Sequence, residues 1–215
     1  ITHSHLDHSP LGKEISDKHN VPIYAFGGTG EGKSEIMRKY TEKFEIGGGE
    51  GVDTLFKPDV LISTGDHISC SSWRIEAIYT PGHMSNHLCF SLNQGECLFS
   101  GDLVMGWATT LISPPDGDIG QYKASLNSLL KRKENLYYPG HGAPLKNAKK
   151  ICCDFFGFRR FGYLRFQVRQ SVYLLYYPLS PILSHYWSKV NLRKKMDLMR
   201  RQMIFFLEKD HQNNG

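Results

Sequence analysis

The run His3-Ser4-His5-Leu6-Asp7-His8 stands at the start of the chain and places four metal-competent side chains within six residues. His3 and His5 alternate at a predicted strand end and therefore project to the same side. A turn at Asp7 and His8 would bring two more ligands to a neighbouring point. Zinc accepts imidazole nitrogen and carboxylate oxygen, and it keeps an open coordination position when the site is catalytic. The spacing therefore indicates a metal site at the end of a strand.

Three later segments offer the further ligands that a pair of metal ions needs, since two ions about 3.5–4 Å apart need roughly six protein ligands and a bridging carboxylate. Each segment sets a metal-competent side chain beside a glycine, just after a predicted strand. The three are Thr80-Pro81-Gly82-His83, Ser100-Gly101-Asp102 and Pro139-Gly140-His141-Gly142. Glycine allows the backbone to approach a metal closely. We interpret the histidines without such a context as unrelated to the site; they are His19, His67, His185 and His211.

The rest of the pattern predicts helices that alternate with strands. Ser9-Pro10 indicates a helix start with Ser9 as N-cap, and Asn93-Gln94-Gly95 indicates a hairpin turn. Helices are predicted over 10–20, 34–44 and 121–131, and strands over 21–26, 73–79, 87–92, 96–100 and 136–138. Such alternation is typical of layered α/β proteins.

These motifs, in this order, resemble the metallo-β-lactamase superfamily over residues 1 to about 150. The resemblance implies an α/β fold, the four-layer αβ/βα sandwich, and two Zn²⁺ ions as cofactors. It implies a ligand set in which the first zinc takes His3, His5 and His83, the second takes Asp7, His8 and His141, and Asp102 bridges both.

In this superfamily several strands precede the histidine-rich motif, whereas this chain begins at Ile1. We therefore expect an N-terminally truncated form whose sandwich lacks its first strands. A targeting segment would lie upstream of Ile1. The five cysteines are odd in number and include no CxxC pair, which favours reduced thiols and an intracellular location, cytoplasmic or mitochondrial.

True β-lactamases of this fold usually lack a histidine at the position of His8 and carry a cysteine at that of Asp102, so antibiotic hydrolysis is not expected. The pattern is similar to the glyoxalase II, RNase Z and β-lactamase-like protein 2 branches. The stretches 78–83, 99–102 and 138–142 look most like the last of these. His87 recurs in that branch, and we expect it either to bind an anionic group of the substrate or to support the metal ligands. The alternative is an ordinary histidine at a strand edge.

The resemblance predicts a binuclear zinc-dependent hydrolase that cleaves an ester, thioester or phosphodiester bond through a metal-bound hydroxide. Asp7 is the expected catalytic residue, since it can orient the nucleophile and carry a proton. The expected substrate is a small-molecule ester or thioester, or RNA; no membrane and no obligate protein partner are implied. Two alternatives remain: a catalytically impaired fragment that still binds metal, and an RNA-acting nuclease of the β-lactamase-like protein 2 type.

A second motif points to a different class of site. Gly27-Gly28-Thr29-Gly30-Glu31-Gly32-Lys33-Ser34 satisfies the phosphate-binding pattern GxxxxGK[ST] between a predicted strand and a predicted helix. The strand is short, however, and no second carboxylate strand for Mg²⁺ follows. We therefore expect a flexible loop with Lys33 in solvent.

Composition changes near Lys150. Residues 1–150 hold 15 Lys and Arg against 17 Asp and Glu, whereas residues 151–215 hold 11 against 4. We expect a hydrolase domain over 1–150 and a basic, aromatic tail over 151–215. The tail is helical, or it is not native to the fold, or it binds single-stranded nucleic acid through stacking and phosphate contacts.

Overall fold

The computed structural model describes residues 1–43, 51–106 and 109–156. The predicted nucleic-acid-binding tail lies outside these residues, apart from its first few positions. The elements, in chain order, are α1 (Pro10–His19), β1 (Tyr24–Ala25), α2 (Glu35–Lys43), β2 (Val60–Leu61), β3 (His67–Ser69), β4 (Arg74–Tyr79), β5 (Leu88–Leu92), β6 (Cys97–Gly101), α3 (Ile119–Leu130), β7 (Leu136–Pro139), β8 (Leu145–Lys146) and α4 (Ala148–Phe156).

Six strands form one sheet in the order β3-β4-β5-β6-β7-β8. All neighbours are antiparallel except β6 and β7, which are parallel. The predicted hairpin between β5 and β6 is confirmed, and residues 93–95 turn the chain with positive φ at each position. Since parallel neighbours need a crossover connection, α3 lies between β6 and β7 in the chain. Asp118 caps its first turn by accepting from the N–H groups of Gly120 and Gln121.

Four layers stack on one another. The face of the six-stranded sheet that carries Leu98 and Tyr137 packs against α3 and α4. On its other face Ala77 and Leu88 pack with Tyr24 of the parallel pair β1-β2. On the far side of that pair lies a further cluster of Ile23, Ala25, Phe56 and Ile1. Gly12 of α1 lies against Ile1 and Ile23 of this cluster, so α1 forms the outer layer. The predicted α/β class and αβ/βα layer order are confirmed.

The first two helices begin at or within one residue of their predicted positions. Ser9 occupies the predicted N-cap position of α1, but its side chain accepts no capping hydrogen bond; its Oγ is a donor within reach of Asp53 Oδ2 (2.8 Å) and His5 O (3.2 Å). In α2 the buried side chain is Met37, while Ile36 stays largely exposed.

The predicted domain boundary at Lys150 falls inside α4. Ala148 and Cys152 are both fully buried in the cluster between α4 and the sheet. The packed part of the chain therefore extends at least to Cys152, past the compositional break. Among the residues that the structure describes, no helix has the length and hydrophobicity to cross a membrane.

Candidate metal centre

The seven predicted ligands converge at one edge of the six-stranded sheet. His83 follows β4, Asp102 follows β6 and His141 follows β7. These strands present their carboxyl ends to the same edge because β4 and β6 both run antiparallel to β5, and β7 runs parallel to β6. The segment 3–8 closes the site from the N-terminal side, where His5 forms a bridge with Val52.

The first group consists of three imidazole nitrogens. His5 Nδ1 lies 2.9 Å from His3 Nε2 and 3.1 Å from His83 Nε2. All three residues are buried, and their nitrogens form a cluster suitable for one metal ion.

The second group lies nearer the surface. His141 Nε2 is 3.0 Å from Asp7 Oδ2 and 3.4 Å from His8 Nε2. The distance from His8 Nε2 to Asp7 Oδ2 is 3.6 Å. These three atoms form a second cluster suitable for one ion. The Asp7 side chain is 59% exposed and so faces any incoming molecule.

Asp102 lies between the two groups. Its Oδ2 is 3.8 Å from His83 Nε2 in the first group and 3.3 Å from His141 Nε2 in the second. Its Oδ1 is 3.4 Å from His8 Nε2. One carboxylate therefore reaches both clusters, which is the position of a bridging ligand.

Neighbouring groups orient the ligand nitrogens. His83 Nδ1 lies 2.6 Å from Leu111 O, a carbonyl that can only accept, so this nitrogen carries the proton and Nε2 faces the centre with its lone pair. His3 Nδ1 lies 3.0 Å from Thr2 Oγ1, again leaving Nε2 toward the centre. The carbonyl of Leu111 was not anticipated, because no sequence pattern marks which backbone oxygen will face a ligand.

The buried histidines are held neutral, the form that binds metal. Desolvation, followed by repulsion from His83, lowers the pKa of His5 to about 4. Desolvation also lowers the pKa values of His3 and His83. Burial acts to raise the pKa of Asp102, but the adjacent His8 and the other rings outweigh it and leave that pKa below its usual value.

The residues present fit a pair of cations. Three ring nitrogens meet in the first group. A proton on one of them can form a hydrogen bond to one neighbour, which leaves the lone pair of the remaining nitrogen without a donor. Asp102 Oδ1 is buried without a hydrogen-bond partner that satisfies it, and an unsatisfied buried carboxylate oxygen is costly. A divalent cation in each group would relieve both features.

The surroundings of His87 fit one of the two roles expected from the sequence and not the other. It is completely buried, and both ring nitrogens have protein partners, Thr80 Oγ1 and the Asp102 N–H. The predicted contact with substrate therefore does not fit, because the side chain offers no surface for one. The alternative role of supporting the ligands does fit its position.

The glycine-rich segment 27–34 packs against the protein instead of forming an open loop. The expectation that Lys33 points to solvent is wrong, since Lys33 Nζ lies 3.3 Å from Asp116 Oδ1 and both side chains are largely buried. Ser34 Oγ donates to Asp118 Oδ2 at 2.7 Å. The carbonyl of Gly32 accepts from Gln121 Nε2 at 3.1 Å. These contacts tie the segment to the start of α3.

The same segment supports the histidine-rich motif through Ser4, a buried residue to which the sequence analysis gave no role. Ser4 Oγ accepts from Thr29 Oγ1 at 2.9 Å and from Asn86 Nδ2 at 3.0 Å. Asn86 Nδ2 also reaches the carbonyls of Gly27 and Gly28. The position of Ser4 between His3 and His5 could have indicated this buried role. Side chains alternate along an extended segment, so Ser4 must point away from the metal ligands.

Comparison with known proteins gives one family. The sequence profile of the metallo-beta-lactamase superfamily matches residues 1–141. The atrochrysone carboxyl ACP thioesterase of Aspergillus fumigatus is 33% identical over 105 residues, which are 46% of this chain and 32% of that protein. A hydroxyacylglutathione hydrolase of Francisella tularensis subsp. novicida is 30% identical over 149 residues, 68% of this chain and 50% of that protein. The chain thus spans half or less of the length of these curated relatives.

The fold is also found among solved structures. The B3 metallo-beta-lactamase BLEG-1 superposes with a TM-score of 0.53 at 21% identity, covering 72% of this chain and 74% of that one. At that identity the similarity concerns the fold alone.

Proposed function

Because the chain belongs to the metallo-β-lactamase superfamily, we propose that its seven-residue centre binds two divalent cations and hydrolyses a thioester. Zinc is the proposed ion, since imidazole nitrogen and carboxylate oxygen suit it and the buried histidines are neutral. His3, His5 and His83 would hold one cation, and Asp7, His8 and His141 the other. The observation that carries the proposal is the position of Asp102, whose carboxylate oxygens lie within 3.3–3.8 Å of nitrogens in both groups.

Bound cations would lower the pKa of a shared water toward neutrality and so supply a nucleophile at physiological pH. The chain's own residues then order the reaction. Asp102 and the buried histidines hold the geometry, while Asp7 is the exposed carboxylate of the centre. Its position lets Asp7 orient the attacking water, accept its proton and release that proton at the leaving group.

A thioester suits this arrangement for a chemical reason. A thiol has a pKa of about 8.5, so a thiolate leaves without a strong general acid, whereas an amine must be protonated first. Within the described part of the centre, Asp7 is the side chain best exposed to exchange protons with a leaving group. Both relatives support the substrate class by their names, a thioesterase and a hydroxyacylglutathione hydrolase. Neither name gives support to the predicted RNA substrate.

The test combines metal analysis with substrate comparison on the full chain. We expect about two zinc ions per chain, and hydrolysis of a hydroxyacylglutathione or of an acylated pantetheine thioester well above that of an oxygen ester or a phosphodiester. Faster cleavage of the phosphodiester would reverse the substrate assignment. Two bound ions without turnover of any of these compounds would favour the impaired metal-binding alternative.

A further inference from the structure

His87 lies directly beneath the metal centre, with its ring centroid 5.1 Å from that of His3. Its Nε2 accepts a hydrogen bond of 3.1 Å from the backbone N–H of Asp102. A neutral imidazole that accepts at Nε2 carries its proton on Nδ1. That second nitrogen lies 3.0 Å from Thr80 Oγ1. The two partners together therefore fix the tautomer of His87.

The hydrogen bonds continue beyond His87 in one direction. With Nδ1 as donor to the Thr80 oxygen, the Thr80 hydroxyl donates to Cys89 Sγ at 3.3 Å. The Cys89 thiol in turn donates to the carbonyl of Ser100 at 3.5 Å. This series of hydrogen bonds begins at the N–H of Asp102 and ends at the carbonyl of Ser100, two residues earlier. It therefore links the two ends of the turn 100–102 through buried side chains.

We infer that His87 is a positioning residue, which with Thr80 and Cys89 fixes the turn carrying Asp102 so that its carboxylate stays between the two ligand groups. The inference rests on the proposed function only where it treats Asp102 as a metal ligand. Nothing in the surroundings of His87 allows a substrate contact, since the side chain has no exposed surface.

The shape of the turn agrees with this role. Gly101 has φ +49, and a Cβ at this position would lie 2.6 Å from His87 Nε2. The imidazole ring thus fills the space beneath the turn that a side chain at position 101 would need. On the opposite side of the peptide, Thr110 Oγ1 donates to the carbonyl of Asp102. Both backbone polar groups of Asp102 are therefore held by side chains from other parts of the chain.

Two substitutions of His87 separate hydrogen bonding from packing. In His87→Gln the amide of glutamine reaches the position of Nε2, and its oxygen can accept the hydrogen bond from the Asp102 N–H. The amide of asparagine reaches only the position of Nδ1, so His87→Asn keeps a partner for Thr80 and leaves the Asp102 N–H without an acceptor. His67→Asn, at an exposed position on β3, is the matched control.

Zinc titration of the full-length variants gives the first measurement. We expect His87→Asn to weaken zinc binding about 10- to 100-fold, the usual effect of losing a group that orients a ligand. The zinc affinity of His87→Gln should stay within about threefold of that of the unsubstituted protein, and the zinc affinity of His67→Asn should equal that of the unsubstituted protein. Equal losses in the glutamine and asparagine variants would show that packing alone matters and would overturn the inference.

Nuclear magnetic resonance of the metal-free chain gives a second measurement, which does not depend on the proposed function. We expect the His87 signals of an Nδ1–H tautomer, together with an Asp102 amide that exchanges slowly with solvent. That amide should exchange at least about tenfold faster in His87→Asn. A proton on Nε2, or unchanged exchange in the asparagine variant, would overturn the positioning role even if zinc binds as proposed. Absence of zinc binding combined with the expected signals would refute the proposed function alone.

Discussion

The ring of His83 and the backbone carbonyl of Leu111 are joined by a hydrogen bond of 2.6 Å at Nδ1. The bond leaves Nε2 as an unprotonated nitrogen that faces His5 and Asp102. The folded centre thus contains neutral imidazoles, and protonation of these rings destabilises it.

The metal-free protein should lose stability as the pH falls below the ordinary histidine value. In the unfolded chain His5 takes up a proton near the ordinary histidine pKa of 6.5, whereas in the folded chain its pKa is about 4. Between these values the unfolded state binds more protons, so stability is full above pH 6.5 and declines as the pH drops toward 4. The lowered pKa values of His3 and His83 act in the same direction.

Melting temperatures of the zinc-free chain measure this effect, taken at steps from about pH 7.5, which is roughly one unit above the ordinary histidine pKa, down to about pH 4.5, within the range of the decline. His5→Asn should flatten the decline, while His67→Asn at its exposed position should not. A melting temperature that stays constant over this range would contradict the buried, neutral state of the centre.

Asp102→Asn should remove the bridge between the two groups with little change in shape. Asparagine keeps the size of the side chain but offers a neutral oxygen to two cations. We expect zinc content to fall from two ions toward one and kcat/KM to fall about 100-fold or more. The exposed Asp17→Asn serves as control. Retention of both ions by Asp102→Asn would show that the bridge is supplied by another group.

Gly140→Ala should disturb the same carboxylate by steric contact. A Cβ at position 140 would lie 2.3 Å from Asp102 Oδ1 and 2.8 Å from His8 Cε1. We expect zinc affinity to fall about tenfold or more while the melting temperature of the metal-free chain changes little, because Gly140 is exposed. Gly12→Ala is a suitable control, since the nearest atoms to its Cβ would be side-chain carbons of Ile1 and Ile23, at 3.1 Å or more. Unchanged zinc affinity in Gly140→Ala would contradict the close approach of Gly140 to Asp102.

Lys33 should matter for stability and not for nucleotide binding. Lys33→Met leaves the largely buried Asp116 without its partner, which we expect to cost about 1–3 kcal/mol of unfolding free energy. Lys39→Met, which breaks an exposed pair with Glu35, should leave the unfolding free energy nearly unchanged, because exposed ion pairs contribute little to stability. Urea denaturation compares the two variants. Tight Mg²⁺-dependent ATP binding that disappears in Lys33→Met would restore the phosphate-binding interpretation.

Arg132 joins two carboxylates away from the metal centre. Its guanidinium contacts Glu76 on β4 at 2.8 Å and the buried Glu134 at 2.9 Å. Burial would raise the pKa of Glu134, but hydrogen bonds from Arg132 and Ser91 outweigh it and keep that pKa below its usual value. Arg132→Met should therefore destabilise the fold by about 2–4 kcal/mol through the uncompensated Glu134.

Urea denaturation of Arg132→Met, with the exposed Lys131→Met as control, measures this cost. Zinc content per folded chain should stay the same in both variants, because Arg132 contacts none of the seven candidate ligands. A stability equal to that of the Lys131 variant would contradict the structural role of the ion pairs.

The local elements were largely predictable because short-range patterns determine them. The hairpin around 93–95 follows from turn residues that act on their neighbours, and the helix predicted over 121–131 is Ile119–Leu130 in the structure, although Asp118 as its capping residue was not predicted. The packing of residues near Lys150 was not predictable in the same way. Composition changes at Lys150, but Cys152 packs in the core, because burial depends on which surfaces meet and not on average charge.

The sequence by itself determined the chemistry of the centre: which side chains can bind a metal, and that each of them follows a strand or belongs to one tight motif. Its spacing contains this information because His83, Asp102 and His141 each directly follow a predicted strand, whereas the directions of the paired strands place those three ends at one edge. Only the tertiary structure decided how those ligands are held. His87, expected either to bind substrate or to support the metal ligands, is a buried partner of the Asp102 backbone, and Lys33, expected in solvent, is the partner of Asp116. Both outcomes depend on contacts between residues distant in the chain, whose desolvation and pairing no local pattern records.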